Sequence, residues 1–212
     1  MAALGTEFLT SGVTEGTPQN IIMDAGTIHK GLKFDASSKK WNFKESLYGA
    51  TSGGTKLSIV PQLQTAEVDG VHVNVVGLTQ KYGETATIET SITEITPAVL
   101  KDAVFLADGA SDVEGYSVLE SKEKISKGDY LEKFAYVGKT MTGQPIIVIF
   151  DYALCTSGFE AQSTSGKQAT FNGKFECYAP AGGSTEKLPY HIYYPTATAS
   201  AVASADTHSE GL

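Results

Sequence analysis

Arginine is missing from this 212-residue chain: all 16 basic residues are lysine, against 24 acidic ones, for a formal net charge of −8. The guanidinium fork is the usual reader of phosphate groups and guanine edges. Its absence from an acidic chain argues against a nucleic-acid reader and removes any arginine finger for phosphoryl transfer. Cysteine is scarce: Cys155 and Cys177 stand without a CxxC, a His pair or a Cys/His cluster, so no metal site is expected. Residues 1–10 lack the basic cluster and apolar stretch of a secretory signal, so both thiols are expected to be reduced and partly buried. Long apolar runs are also absent. The longest, at residues 146–150, is far short of the roughly 20 residues of a spanning helix, and no membrane association is expected.

What is present is a two-residue period. The runs 28–34, 57–64 and 171–178 alternate apolar and polar residues, and 85–95 is rich in Thr and Ile, with Ile88 and Ile92 opposite Glu89, Ser91 and Thr93. Val71, Val73 and Val75 follow Asp69-Gly70, a hairpin signal. Residues 145–152 are apolar on both faces, which predicts a central strand covered on both sides. Residues 188–194 can add a short last strand. One helix is expected: Thr96 caps it, Pro97 opens it, Val99, Leu100, Ala103, Val104 and Ala107 form its apolar stripe, and Asp108-Gly109 ends it. The reading is a mainly β protein of the sandwich or barrel type. It has one short flanking helix in a single domain over residues 1–195, and an Ala/Ser/Thr-rich tail at 196–212. No solenoid period repeats.

The search for chemistry finds no complete motif. Gly138-Lys139-Thr140 has the ending of a phosphate loop, but Lys133 stands where its first glycine belongs and no helix can follow. His29, His72, His191 and His208 show no metal-ligand spacing, and their ordinary reading is a solvated or hydrogen-bonded ring. There is no G-x-S-x-G elbow. The carboxylate pairs Glu84/Glu89 and Asp108/Asp112 lack the aromatic cleft of a glycosidase, and Trp41 reads as a loop anchor. No catalytic residue and no cofactor is expected.

Five ordered segments carry a resemblance. They are Asn20-Ile-Ile-Met-Asp-Ala-Gly-Thr-Ile-His-Lys-Gly31, Tyr48-Gly-Ala-Thr-Ser-Gly-Gly-Thr-Lys56, Pro61-Gln-Leu-Gln-Thr-Ala-Glu-Val-Asp-Gly-Val71, Gly83-Glu-Thr-Ala-Thr-Ile-Glu-Thr90 and Ile95-Thr-Pro-Ala-Val-Leu-Lys101. In this order they resemble the major tail (tail tube) proteins of long-tailed, siphovirus-type phages of Gram-positive bacteria. The likeness covers somewhat under half of the chain. It implies a virion protein made in the host cytoplasm, which forms stacked hexameric rings around the channel for DNA ejection. Tape measure, tail terminator and tail tip proteins are its implied partners, and a long loop or hairpin reaches a neighbouring ring. Many relatives add an immunoglobulin-like domain, for which this chain is too short.

On that reading the polar stretch 35–55 is expected to be the arm, with Trp41 and Tyr48 as anchors and Gly49, Gly53 and Gly54 at its turn. Glu89, Ser91, Thr93, Asn172 and Glu176 are the expected channel-lining residues, with DNA only in transit. Rival readings are the inner tube of a contractile tail, a tail-like bacteriocin, a secretion-system ring, a carbohydrate-binding or adhesive sandwich with aromatics clustered around Trp41, Tyr193 and Tyr194, and, last, a small hydrolase.

Overall fold

The computed structural model describes residues 11–196, so all but the first residue of the tail at 196–212 lies outside the described residues. The chain is mainly β. Its elements are α1 (Thr17–Asn20), β1 (Ile22–His29), β2 (Phe34–Asp35), β3 (Lys40–Trp41), β4 (Thr51–Thr65), β5 (Thr79–Ile92), α2 (Pro97–Val104), β6 (Leu106–Gly109), β7 (Val118–Ser121), β8 (Leu131–Thr140), β9 (Pro145–Cys155), β10 (Phe171–Cys177) and β11 (Tyr190–Tyr193). Seven strands form one antiparallel sheet in the order β1-β8-β9-β10-β5-β4. β9 splits its second edge, pairing β11 through residues 147–150 and β10 through residues 153–155. The sheet curls around this fork.

Period two sets the core. Leu57, Ile88 and Phe175 stand in register across β4, β5 and β10, and Ile88 and Phe175 are fully buried. Phe134, Phe150, Phe171 and Val99 of α2 join them inside the curl. Each such phenylalanine contributes roughly 1.5–3 kcal/mol by leaving water. As expected, β9 is covered on both faces: Val148 and Phe150 face the main core, while Ile147 and Ile149 pack with Leu32, Trp41 and Phe43. Trp41 is therefore an anchor holding residues 31–43 onto the back of β8 and β9. It also meets Tyr193 edge-on, with ring centroids 5.0 Å apart.

Three expectations change. The helix starts as expected, Thr96 Oγ1 accepting the Val99 N–H at 3.2 Å, but it stops at Val104. Phe105, not Gly109, takes the left-handed cap conformation at φ 56°, and Leu106–Gly109 pairs with β7 instead. The chain predicted to alternate through residue 34 ends its strand at His29. Gly31 turns it with φ 73° so that Leu32 covers the back of the sheet.

The arm is the third correction. Residues 35–55 do not form a projecting hairpin. Phe34 and Asp35 pair with Trp41 and Lys40, residues 46–48 return along β1, and β4 begins at Thr51. Tyr48 packs edge-on against Phe134 and Phe175 in the core. The physical reason is apolar area: Trp41, Phe43 and Tyr48 gain more against this subunit's own sheet than in a polar arm held away from it. The projecting element is the β4–β5 hairpin. Its strands stay paired to Thr65 and Thr79, joined by the loop 66–78, and every residue from Val60 to Tyr82 except Leu78 is exposed.

Candidate assembly surface

The surface is built from the wet faces of β4, β5 and β10. Because Leu57, Ile88 and Phe175 point inward, their neighbours point out together. Lys56, Glu89 and Lys174 stand in register across the three strands, with Ser52, Ser91 and Asn172 one row away and Ser58, Thr87 and Glu176 on the other side. Lys56 Nζ lies 3.2 Å from Glu89 Oε2, Lys174 Nζ lies 3.1 Å from Glu176 Oε1, and Ser91 Oγ donates to Asn172 Oδ1 at 2.6 Å. The face is polar and its charges alternate.

Gly53 and Gly54 complete this face. They form the bulge where the β4–β5 register shifts between Ser52 and Thr55, with φ of 75° and 87° that disfavour any residue with a Cβ. With Thr55, Lys56, Glu89, Thr90, Ser91 and the segment 172–174, they line an open trough of about 630 Å³. The two glycines thus join the expected lining residues rather than turning an arm. Thr93 lies past the end of β5, where its N–H and Oγ1 both donate to the Ala50 carbonyl, at 2.9 and 3.1 Å. Gly49 sits against Glu94, away from the trough. Trp41 and Tyr48 belong to packing inside the subunit.

The two ends of the sheet differ. The C-terminal end of β1 is covered from within: Tyr48 N–H donates to the Ile28 carbonyl at 2.9 Å, and the N–H of Lys30, which follows the strand, to the Ser46 carbonyl at 2.8 Å. β4, by contrast, pairs only with β5 among the described residues and leaves its second edge unpaired. Pro61 sits within it, which suits an edge strand because proline has no N–H to give a further neighbour.

The sequence signals a hairpin at Asp69-Gly70, but Val71, Val73 and Val75 belong to the loop 66–78 and not to a return strand, and the two lysines carry no signal. Residues 57–64 and Asp69-Gly70 were recognisable as strand and turn. The return strand was not extended to Thr79, because Gln80, Lys81 and Tyr82 show no apolar alternation. On the hairpin, Leu63 is 61% exposed, Val73 74% and Tyr82 58%. An acidic side chain pins its base. Lys81, the Leu188 N–H and Tyr190 Oη all bond the Glu84 carboxylate and hold it below the usual carboxylate range.

Among the described residues no helix is long and apolar enough to cross a membrane, and no His, Cys, Asp and Glu side chains are grouped to hold a metal ion. Neither a scan against protein-family models nor a search of curated proteins returns a match for this chain.

Proposed function

We propose that this protein is a structural tube subunit of the phage tail type. On this reading it self-assembles into stacked hexameric rings, and its product is a shaped channel rather than a reaction. The observation that carries the reading is the open β4 edge, prolonged into an exposed hairpin beyond the body. Unpaired N–H and C=O groups along an edge are a template for a further chain. A heterologous contact that closes on itself makes a ring. The six paired residues from Val60 to Thr65 reach about 20 Å at 3.3 Å per residue. The loop 66–78 adds exposed Val68, Val71, Val73, Val75 and Val76 at the tip.

The trough face supports the lumen side of the proposal. It carries no arginine, and its two lysines are each set beside a glutamate. Free basic side chains retain DNA through its phosphates, whereas paired ones on an acidic protein favour transit. Tape measure, terminator and tip proteins are the partners this role implies, in a virion tail assembled in the host cytoplasm.

An adhesive reading has one observation in its favour. Tyr193 and Phe34, each about half exposed, flank Trp41 at 5.0 and 5.2 Å. The rings meet at steep angles of 74° and 60° rather than forming one flat platform. Negative-stain microscopy of the concentrated protein separates the readings. Six-fold rings or striated tubes are expected, and a monomer at every concentration that binds glycans through Trp41 overturns the proposal.

A further inference from the structure

Two segments that are not sheet neighbours by strand order meet at His29. Its imidazole is 2% exposed and Ser46 is 4% exposed. Nδ1 lies 2.9 Å from Ser46 Oγ, and Nε2 lies 2.8 Å from Thr27 Oγ1. One proton arrangement satisfies these contacts as follows. Ser46 Oγ donates its single hydrogen to the Asn42 carbonyl at 2.8 Å, so it accepts from Nδ1–H. A backbone hydrogen bond with Phe43 favours the charged ring, but less than burial disfavours it. Nε2 is then the bare nitrogen and accepts from the Thr27 hydroxyl. Burial removes the water that would solvate a charged ring, and this favours the neutral form.

The ring reinforces the contact that covers the C-terminal end of β1. Ser46 contributes its hydroxyl to the imidazole and its carbonyl to Lys30 N–H, and Leu47 bridges His29 itself. Among the described residues no carboxylate bonds the imidazole to offset a charge. Just after β1, Lys30 is paired with Asp102, and on β1 Asp24 is paired with Lys139. On β8, whose Ala135 is in register with His29, Lys133 is paired with Asp151. On the covering strip, Lys44 and Glu45 are exposed, and the Phe43 ring meets the imidazole at 5.8 Å.

We infer that His29 is a proton-operated clasp: neutral, it holds residues 42–47 against β1; protonated, it releases them. Burial holds its basicity below the ordinary histidine value of 6.5, so the strip stays closed at neutral pH and opens under mild acid. The switch is a property of the single subunit and does not depend on assembly.

The only tryptophan, Trp41, precedes the strip and packs on Phe34, Phe43 and Tyr193, so its emission reports the strip's position. The experiment acidifies the protein from about pH 7.5 to about pH 4, following Trp41 emission and the imidazole nitrogens by NMR. The expected result is a reversible red shift with a midpoint below 6.5 that coincides with protonation of His29 and with shifts of the amides of residues 42–47. His29→Gln is expected to abolish the transition, and Glu45→Gln to retain it. An unchanged transition in His29→Gln overturns the clasp. So does a His29 ring that protonates without moving those amides, or that stays neutral throughout. Should His29→Gln fail to fold, the NMR titration of the unaltered protein decides alone.

Discussion

The Glu84 carboxylate accepts the backbone N–H of Leu188 at 2.9 Å, tying the base of the projecting hairpin to the segment that leads into the last strand. Its other oxygen takes the Tyr190 hydroxyl at 3.3 Å and the Lys81 ammonium. Glu84→Ala strands the Leu188 N–H and the Tyr190 hydroxyl at once. The expected loss is about 2 kcal/mol, on the scale of buried hydrogen bonds left unmade. Urea unfolding checks it, and a change below about 0.5 kcal/mol, the range of surface substitutions, would show that the tie carries no load.

Tyr48 presents the opposite case. Its ring packs between Phe134 and Phe175, but its buried hydroxyl has no hydrogen-bond partner among the described residues. A stranded polar group costs stability, so Tyr48→Phe is expected to be neutral or stabilising by up to about 1 kcal/mol. A loss of similar size in thermal or urea unfolding would mean that the hydroxyl finds a partner in solution.

The hairpin and the strip 39–55 should respond differently to deletion. Residues 61–82 are exposed except for Leu78, so replacing them with an Asn-Gly turn should change stability by no more than about 1 kcal/mol. The same change should block tube growth, and tubes of normal length from it would remove the hairpin from the mechanism. Deleting residues 39–55 should instead unfold the subunit, because it takes away Tyr48, Trp41 and the cover over the C-terminal end of β1. Circular dichroism distinguishes the two variants before any microscopy.

Asp129 gives an acid dependence. Burial pushes its carboxyl up, but bonds from the Lys122 ammonium and from the Ser126 N–H and hydroxyl outweigh it and hold the group at about 2, against an ordinary 3.8. The folded state therefore binds this proton more weakly than the unfolded chain does. The stabilisation is complete above the ordinary value and is lost as pH falls from 3.8 towards about 2. Asp129→Asn should lower the urea midpoint near neutrality and narrow the gap between neutral and strongly acidic midpoints. An unchanged gap would place the acid sensitivity elsewhere.

Much of this architecture is written locally. Alternation at 57–59, 85–92 and 171–177 sorts inward from outward residues because a strand has a period of two. The doubly apolar run 145–152 announces a strand covered on both faces, and Thr96-Pro97 starts the helix through a cap and a fixed φ, all within a few residues. Tertiary contacts decided the rest. The strand count could not say that β4 lies at an edge, or that Gly53 and Gly54 sit beside Ser91 and Asn172, because those adjacencies follow from pairings across 35 to 81 residues of chain. Nor could it say which long polar stretch projects. Residues 35–55 hold enough apolar area to fold back, whereas residues 60–82 find their hydrogen bonds in each other and leave their valines and Leu63 in water. Sequence placed side chains on faces; only packing decided which faces meet, since burial is a property of pairs of surfaces and not of one strand.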